Sequence, residues 1–246
     1  MDSPRSPSSP GLERLEALRP RGVVFDLDGT IVDNMALHAE AFATFVRRHG
    51  LPPLTHEDRL RLDGKRNRDL FPLLLGRPLT DAEWQAHADE KESLYREIST
   101  GRLSPVAGFT RLLDALEAHG IPVAVATSAP AENVEHTLRE LGLAARLSTV
   151  VRADQVPRGK PFPDVFLAAA AALGARPAAC LAFEDAPAGV VAARAAGMTC
   201  VALTTGFAAA TLLAPDHAAD AALPHFDAFL DGPGRWLLRA PAPPAP

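Results

Sequence analysis

Short apolar runs, almost uninterrupted and separated by helix-length amphipathic segments, constrain the fold of this chain more than any other feature. Val23-Val24-Phe25, Val123-Ala124-Val125-Ala126, Val150-Val151, Cys180-Leu181-Ala182-Phe183 and Cys200-Val201-Ala202-Leu203 carry no polar residue. A sheet with one wet face reads as alternating apolar and polar positions, whereas a parallel strand covered on both faces reads as a continuous run. Strands are therefore predicted over 22–27, 121–127, 149–152, 180–184 and 199–203. Helical patterns fill 108–119, 131–141, 163–173 and 188–196, and Gly120, Gly142, Gly174 and Gly197 follow their ends. Glycine is favoured there because it accepts the left-handed backbone that closes a helix. Strand and helix in alternation with short links give an α/β fold with a doubly wound parallel sheet.

Residues 35–102 break this rhythm, with helical patterns and no convincing strand. Leu37, Ala41, Phe45 and Val46 share one helical face, and Thr80-Asp81-Ala82-Glu83 opens a longer helix, over 80–98, with a capping-box pattern. A helical block placed after the first strand reads as an inserted cap domain over the carboxyl ends of the strands, where such sheets bind ligands. The expected organisation is an N-terminal tail at 1–20, with a short helical stretch over 12–18, and an α/β core at 21–34 and 103–235. The cap occupies 35–102, and an extended Pro/Ala-rich tail 236–246. The linkers near 33–35 and 101–105 are the expected hinges.

The 246 residues allow a sizeable core, and 47% hydrophobic with 22% charged residues is ordinary for a soluble protein. A net charge of −5 argues against nucleic acid or an anionic membrane as the main partner, but not against a small anionic substrate. No apolar run approaches the roughly 20 residues that span a bilayer, and the N-terminus lacks a signal-peptide core. Cys180 and Cys200 sit in apolar segments and read as buried core thiols, in keeping with a cytoplasmic protein. A monomer is the default expectation.

Chemistry-bearing residues cluster where the predicted strands end. Asp26 and Asp28 follow Val23-Val24-Phe25 and precede a Gly29-Thr30 turn. Residues two apart in a strand point to the same side, so both carboxylates are expected to face the cleft. Close carboxylates repel, which raises one pKa or demands a cation between them. That pattern suits a divalent metal with oxygen ligands, or a nucleophile beside a general acid/base. Thr127-Ser128 ends the second strand, Lys160 stands between Gly159 and Pro161, and Glu184-Asp185 ends the fourth. Each has a plainer reading: turn aspartates, helix caps at Ser128 and Asp185, a surface lysine. Four such sets at the ends of successive strands of one sheet favour a single site.

Asp26-Leu27-Asp28-Gly29-Thr30, Thr127-Ser128, Lys160-Pro161 and Glu184-Asp185 resemble, in identity, order and spacing, the four motifs of the haloacid dehalogenase-like hydrolase superfamily. The helical insertion after the first motif resembles the cap of the subgroup that holds β-phosphoglucomutase and many small-metabolite phosphatases. The resemblance implies a Rossmann-like core and Mg²⁺-dependent phosphoryl transfer through an aspartyl phosphate. It makes Asp26 the nucleophile and Asp28 the general acid/base. The metal would be held by Asp26, the backbone carbonyl of Asp28 and Asp185, with Glu184 as a direct or outer ligand. Thr127 and Lys160 would hold phosphoryl oxygens, helped by backbone N–H groups around Leu27 and Ser128.

The same resemblance places His38, Asn67 and Lys91 of the cap at the substrate, and the neighbouring cations Lys65 and Arg66 read as further substrate contacts, with Arg66 or Arg68 as candidates for the cation that Asn67 does not supply. It implies a small phosphorylated metabolite, a sugar phosphate in the first instance. The mutase pattern has an arginine where this chain has Asn67, and asparagine cannot neutralise a distal phosphate dianion. A phosphatase is therefore expected, with a phosphosugar mutase as the alternative. A non-catalytic phosphosugar-binding regulator is the remote alternative, since Asp26, Asp28, Lys160 and Asp185 are all in place.

Overall fold

The computed structural model describes residue 15 and residues 17–239. The helical stretch expected over 12–18 lies largely outside these residues, as does the proline-rich end from 240 onward. Six parallel strands form one sheet: β1 (Gly22–Phe25), β2 (Val123–Thr127), β3 (Val150–Arg152), β4 (Cys180–Glu184), β5 (Thr199–Leu203) and β6 (Ala221–Leu223). Their spatial order is β3-β2-β1-β4-β5-β6. The chain winds outward from β1 through β2 to β3, crosses back to β4 and winds outward again. The reversal beside β1 opens the crevice in which such sheets place ligands.

Side-chain alternation divides the core unequally. Val23, Phe25, Val125, Leu181, Phe183, Val201 and Leu203 point to one face, where α5 (Phe109–Ala118), α6 (Ala131–Glu140) and α10 (Phe226–Asp231) cover them. Phe25 stacks on Phe183 at 5.3 Å, and Phe109 and Phe226 meet Phe25 edge-on. Val24, Ala124, Ala126, Ala182, Cys200 and Ala202 face the other way, against α7 (Asp164–Ala172), α8 (Pro187–Ala195) and α9 (Ala209–Leu212). Large rings fill one layer, while small side chains let helices approach closely in the other. Cys180 and Cys200 are free and buried. Residues expected to belong to the tails also join this core, since Leu15 and Leu237 are buried in the aromatic layer. No described helix is long and apolar enough to cross a membrane.

Between β1 and α5 come four helices: α1 (Met35–Arg48), α2 (His56–Leu62), α3 (Asn67–Leu75) and α4 (Asp81–Ser99). They bury a separate cluster of their own, built on Phe45, Leu62, Phe71 and Tyr95. Thr80 caps α4: its hydroxyl accepts the Glu83 N–H, and its own N–H donates to the Glu83 carboxylate. The two chain crossings into this block run side by side. Asp33 N–H donates to the Ser104 carbonyl at 2.9 Å, and Val32 bridges to Pro105.

Candidate active site

The register of the sheet sets the site. Phe25 lies level with Val125 on β2 and Phe183 on β4, so Asp26, Thr127 and Glu184 emerge at one edge. β1 ends at Phe25, and Asp28 is reached through a turn rather than along the pleat expected from sequence. Leu27 provides backbone to that turn, its carbonyl accepting from Thr30, Ile31 and Val32, while its side chain enters the core. Gly29 adopts φ +76° beside Asp185, and a Cβ there would collide with the Asp185 carboxylate. Gly189, in the first turn of α8, gives the Glu184 carboxylate the same room.

Lys160 is 2% exposed and bridges two acids, donating to Asp26 Oδ1 and to Glu184 Oε1, each at 2.5 Å. The Glu184 Oε2 accepts the backbone N–H groups of Asp185 and Ala186 at 2.8 Å. Both oxygens of Glu184 are thus engaged by the protein. Asp185 differs, since its buried Oδ2 has no hydrogen-bond partner. Carboxylate oxygens of Asp26, Glu184 and Asp185 lie within 4.8 Å of one another, close enough to share a cation. Burial pushes the Asp26 carboxyl up to about 8, with Glu184 and Asp28 adding to the rise and Lys160 opposing it. Burial likewise raises Asp185, reinforced by Glu184 and Asp26. Three buried acids share one buried ammonium, and the orphaned oxygen marks where further positive charge fits. A hard divalent cation with oxygen ligands satisfies that donor set.

The opposite wall comes from the helical block, and together they enclose a cavity of about 90 Å³. Asp26, Asp28, His38, Lys65, Asn67, Lys91, Thr127, Ser128, Glu184 and Asp185 line it. Arg66 does not: its guanidinium pairs with Asp69 at 2.5 Å and reaches the Pro157 carbonyl. The aspartate three residues on in the same helix draws it away. Thr127 accepts the Ala129 N–H at 3.0 Å, and Ser128 donates its hydroxyl to the Gly64 carbonyl at 2.7 Å. Ser128 thereby ties sheet edge to helical block. Lys91, also buried, donates to both Glu92 oxygens and meets His38 Nδ1, all at 3.1 Å. His38 stacks on Tyr95, and its Nε2 stands 3.4 Å from Asp28 Oδ1. Although burial alone would raise Asp28, His38, Asn34 and Lys91 together hold it below the usual carboxylate range.

Three residues of this network carried no sequence signal of their own. Glu92 accepts from Asn67 at 2.9 Å and from Asn133 at 2.7 Å, and Asn133 in turn accepts from Arg96. Asn34 is fully buried, donating to Asp28 Oδ1 at 2.7 Å and meeting the Tyr95 hydroxyl at 2.6 Å. Its Oδ1 accepts the Gly29 N–H at 3.0 Å. Asn34→Ala is expected to lower kcat by roughly 10- to 100-fold with little change in KM, as loss of an orienting outer partner does. Steady-state kinetics reads this directly; a change confined to KM would place Asn34 in substrate binding instead.

The haloacid dehalogenase-like hydrolase profile matches residues 23–203, a span running from β1 through β5. A validoxylamine A 7′-phosphate phosphatase of Streptomyces hygroscopicus is 34% identical over 206 residues, covering 78% of this chain and 90% of that protein. A fructose-1-phosphate phosphatase of Escherichia coli is 34% identical over 185 residues, covering 74% and 96%. Among solved structures, a family IA hydrolase from Entamoeba histolytica superposes with a TM-score of 0.77 at 26% identity, covering 89% and 99%. With Asp26, Thr127 and Glu184-Asp185 at strand ends, Lys160 reaching them from the loop after β3 rather than from the strand end expected, and a profile match across most of its length, this chain belongs to the haloacid dehalogenase-like hydrolase family.

Proposed function

We propose that this phosphoric monoester hydrolase removes phosphate from small phosphorylated sugars, with Asp26 as nucleophile and Asp28 as general acid and base. The observation that carries the reading is the acid cluster: Lys160 clamps Asp26 and Glu184 while Asp185 Oδ2 stands unpartnered. Relatives named as phosphatases of fructose 1-phosphate, of hexitols and of validoxylamine A 7′-phosphate support the substrate class.

The Asp26 carboxylate attacks phosphorus, forming an acyl phosphate as the bond to the sugar oxygen breaks. Asp28 donates its proton to that oxygen. Its carboxyl is held low in the free site and is ionised there, so it takes this proton up from solvent as the phosphorylated substrate binds and the dianion beside it raises its pKa. Asp28, now ionised, takes a proton from water; the water oxygen attacks phosphorus and the bond to Asp26 breaks. Lys160 and Thr127 hold phosphoryl oxygens in both steps. Asp26, Asp185 and the Asp28 carbonyl would hold Mg²⁺, with Glu184 acting through Lys160 and the backbone rather than as a ligand. When bound, the ion supplies charge neutralisation that lets an anionic carboxylate approach an anionic phosphoryl group.

Residues 35–102 act as a cap in this reading. A cavity of about 90 Å³ is too small for a hexose phosphate, so the Ser128–Gly64 and Asn133–Glu92 contacts must part before substrate enters. Lys65 is the one cation on the cavity wall with no carboxylate partner among the described residues, and Asn67 is held by Glu92. Such a wall suits one phosphate and a polyol better than two phosphates, which favours hydrolysis over mutase chemistry.

The test is phosphate release over a panel of sugar phosphates, with Mg²⁺ or with chelator. Release from at least one member, lost on chelation and restored by Mg²⁺, is expected. Conversion of β-glucose 1-phosphate to glucose 6-phosphate without phosphate release, given a trace of the 1,6-bisphosphate, would overturn the phosphatase reading in favour of the mutase.

A further inference from the structure

α1 and α4 run in opposite directions, with His38 beside Tyr95 at one end and His49 beside His87 at the other. At that second end, away from the catalytic cavity, two imidazoles and a carboxylate converge. His49, the C-cap residue of α1, brings Nε2 to 2.7 Å from Glu90 Oε2. His87 precedes Glu90 by three residues on α4, so both side chains lie on one helical face. One ligand atom from each of the three falls within 4.8 Å of the others.

An aromatic platform holds the two rings in place. Phe45 stacks under His49 at 4.3 Å and meets the His87 ring edge-on at 5.7 Å, while Phe71 stacks on His87 at 5.9 Å. The ring nitrogens of His87 have no hydrogen-bond partner among the described residues, although the ring itself is only half-buried. This is a positioned imidazole facing a histidine–carboxylate pair, with a lone pair to offer.

We propose that His49, His87 and Glu90 form a second metal site, selective for Zn²⁺ and chemically similar divalent ions. Two imidazoles and one carboxylate are borderline ligands that Zn²⁺, Co²⁺ or Ni²⁺ accept, whereas Mg²⁺ prefers oxygen alone. Three protein ligands leave one position for water. Bonds of about 2.0–2.1 Å in a tetrahedral site put ligand atoms about 3.3 Å apart, so the His49–Glu90 pair, at 2.7 Å, opens as the ion enters between them. His49 and Glu90 have side chains about one-third exposed, free to rotate inward as their mutual hydrogen bond is exchanged for bonds to the ion. Arg48, 3.4 Å from Glu90 Oε1, is more than half exposed and can swing into solvent.

An ion here clips the end of α1 to the middle of α4. The same two helices carry His38, Lys91 and Glu92 to the catalytic cavity. The site therefore braces the cap wall while sharing no residue with the Asp26–Glu184–Asp185 cluster.

Zn²⁺ titrated calorimetrically into the full chain, with excess Mg²⁺ present to occupy the catalytic cluster, tests this. One equivalent should bind and raise Tm. His87→Phe and His49→Phe keep a ring on the Phe45 platform but remove a ligand, and each should weaken binding at least about tenfold. The Zn²⁺-dependent rise in Tm should vanish with it, while Mg²⁺-dependent phosphate release by His87→Phe stays at the wild-type rate. If a phenylalanine variant fails to fold, Glu90→Gln keeps the hydrogen bond to His49 and must show the same loss. Absence of binding to the wild type, or equal binding to the variants, overturns the site.

Discussion

Asp26→Asn is expected to abolish phosphate release, by roughly 10⁴-fold or more, because the amide cannot form the covalent intermediate. The fold should survive. Asparagine keeps the shape, its carbonyl oxygen can still accept from Lys160, and Lys160 retains Glu184 at 2.5 Å. Burial has already pushed the Asp26 carboxyl up to about 8, so at neutral pH without metal the fold gains little from its charge. Thermal melts in chelator should therefore place the variant within a few degrees of the wild type. In Mg²⁺ the two should separate, since the variant lacks one anionic ligand and gains less stability from the ion. Stability intact with activity gone assigns the defect to chemistry. Turnover above about one per cent of wild type would remove Asp26 from the nucleophile's role.

The sheet was legible in sequence wherever a strand lies under helices on both sides. β1, β2, β4 and β5 are almost continuously apolar, and the candidate site residues stand at or just past the ends of β1, β2 and β4. β6 went unread because Ala221-Ala222-Leu223 is too short and too weakly apolar to stand out between Asp220 and Pro224. Its pairing with β5 is a tertiary fact. Both Asp26 and Asp28 do line the cavity, yet the reason differs from the one strand periodicity offered: the strand has ended, and a turn pinned by Asn34 aims Asp28. Asn34 looks like an ordinary helix cap in sequence. Glu92 looks like one more acid on a charged helix, yet it is 6% exposed and collects three donors. Arg66 shows the converse, a cation beside the right glycine that a local ion pair turns outward. Motif residues are legible because their chemistry admits few substitutes. Residues that only orient them depend on which helix packs opposite.

Lys160→Met tests the electrostatic logic of the site as a whole. Methionine fills nearly the same space without the charge, so the loss reports on the ammonium rather than on a cavity. Activity should fall by roughly 10²- to 10³-fold, the usual cost of removing one preorganised donor to a developing anion. Stability without metal should fall by about 3–5 kcal/mol, as when one partner of a buried ion pair is deleted. For a chain of this length that lowers Tm on the order of 10 °C. The pH dependence has a definite sign. Asp26 and Asp185 have folded-state pKa values above their unfolded ones, so the stability they contribute is complete below about pH 4. It is lost as pH rises through the folded value, about 8 for Asp26. Removing Lys160 takes away the one opposing charge, so the folded-state value of Asp26 should rise further and the decline should extend above pH 8, with Mg²⁺ recovering part of it. Adding Glu184→Gln to Lys160→Met should restore most of the stability. The glutamine oxygen still accepts from the Asp185 and Ala186 N–H groups, and its amide can donate to Asp26. Activity should stay low, because no ammonium remains to meet the phosphoryl group. If the double variant is as unstable as the single one, charge crowding is not what makes Lys160 necessary to the fold.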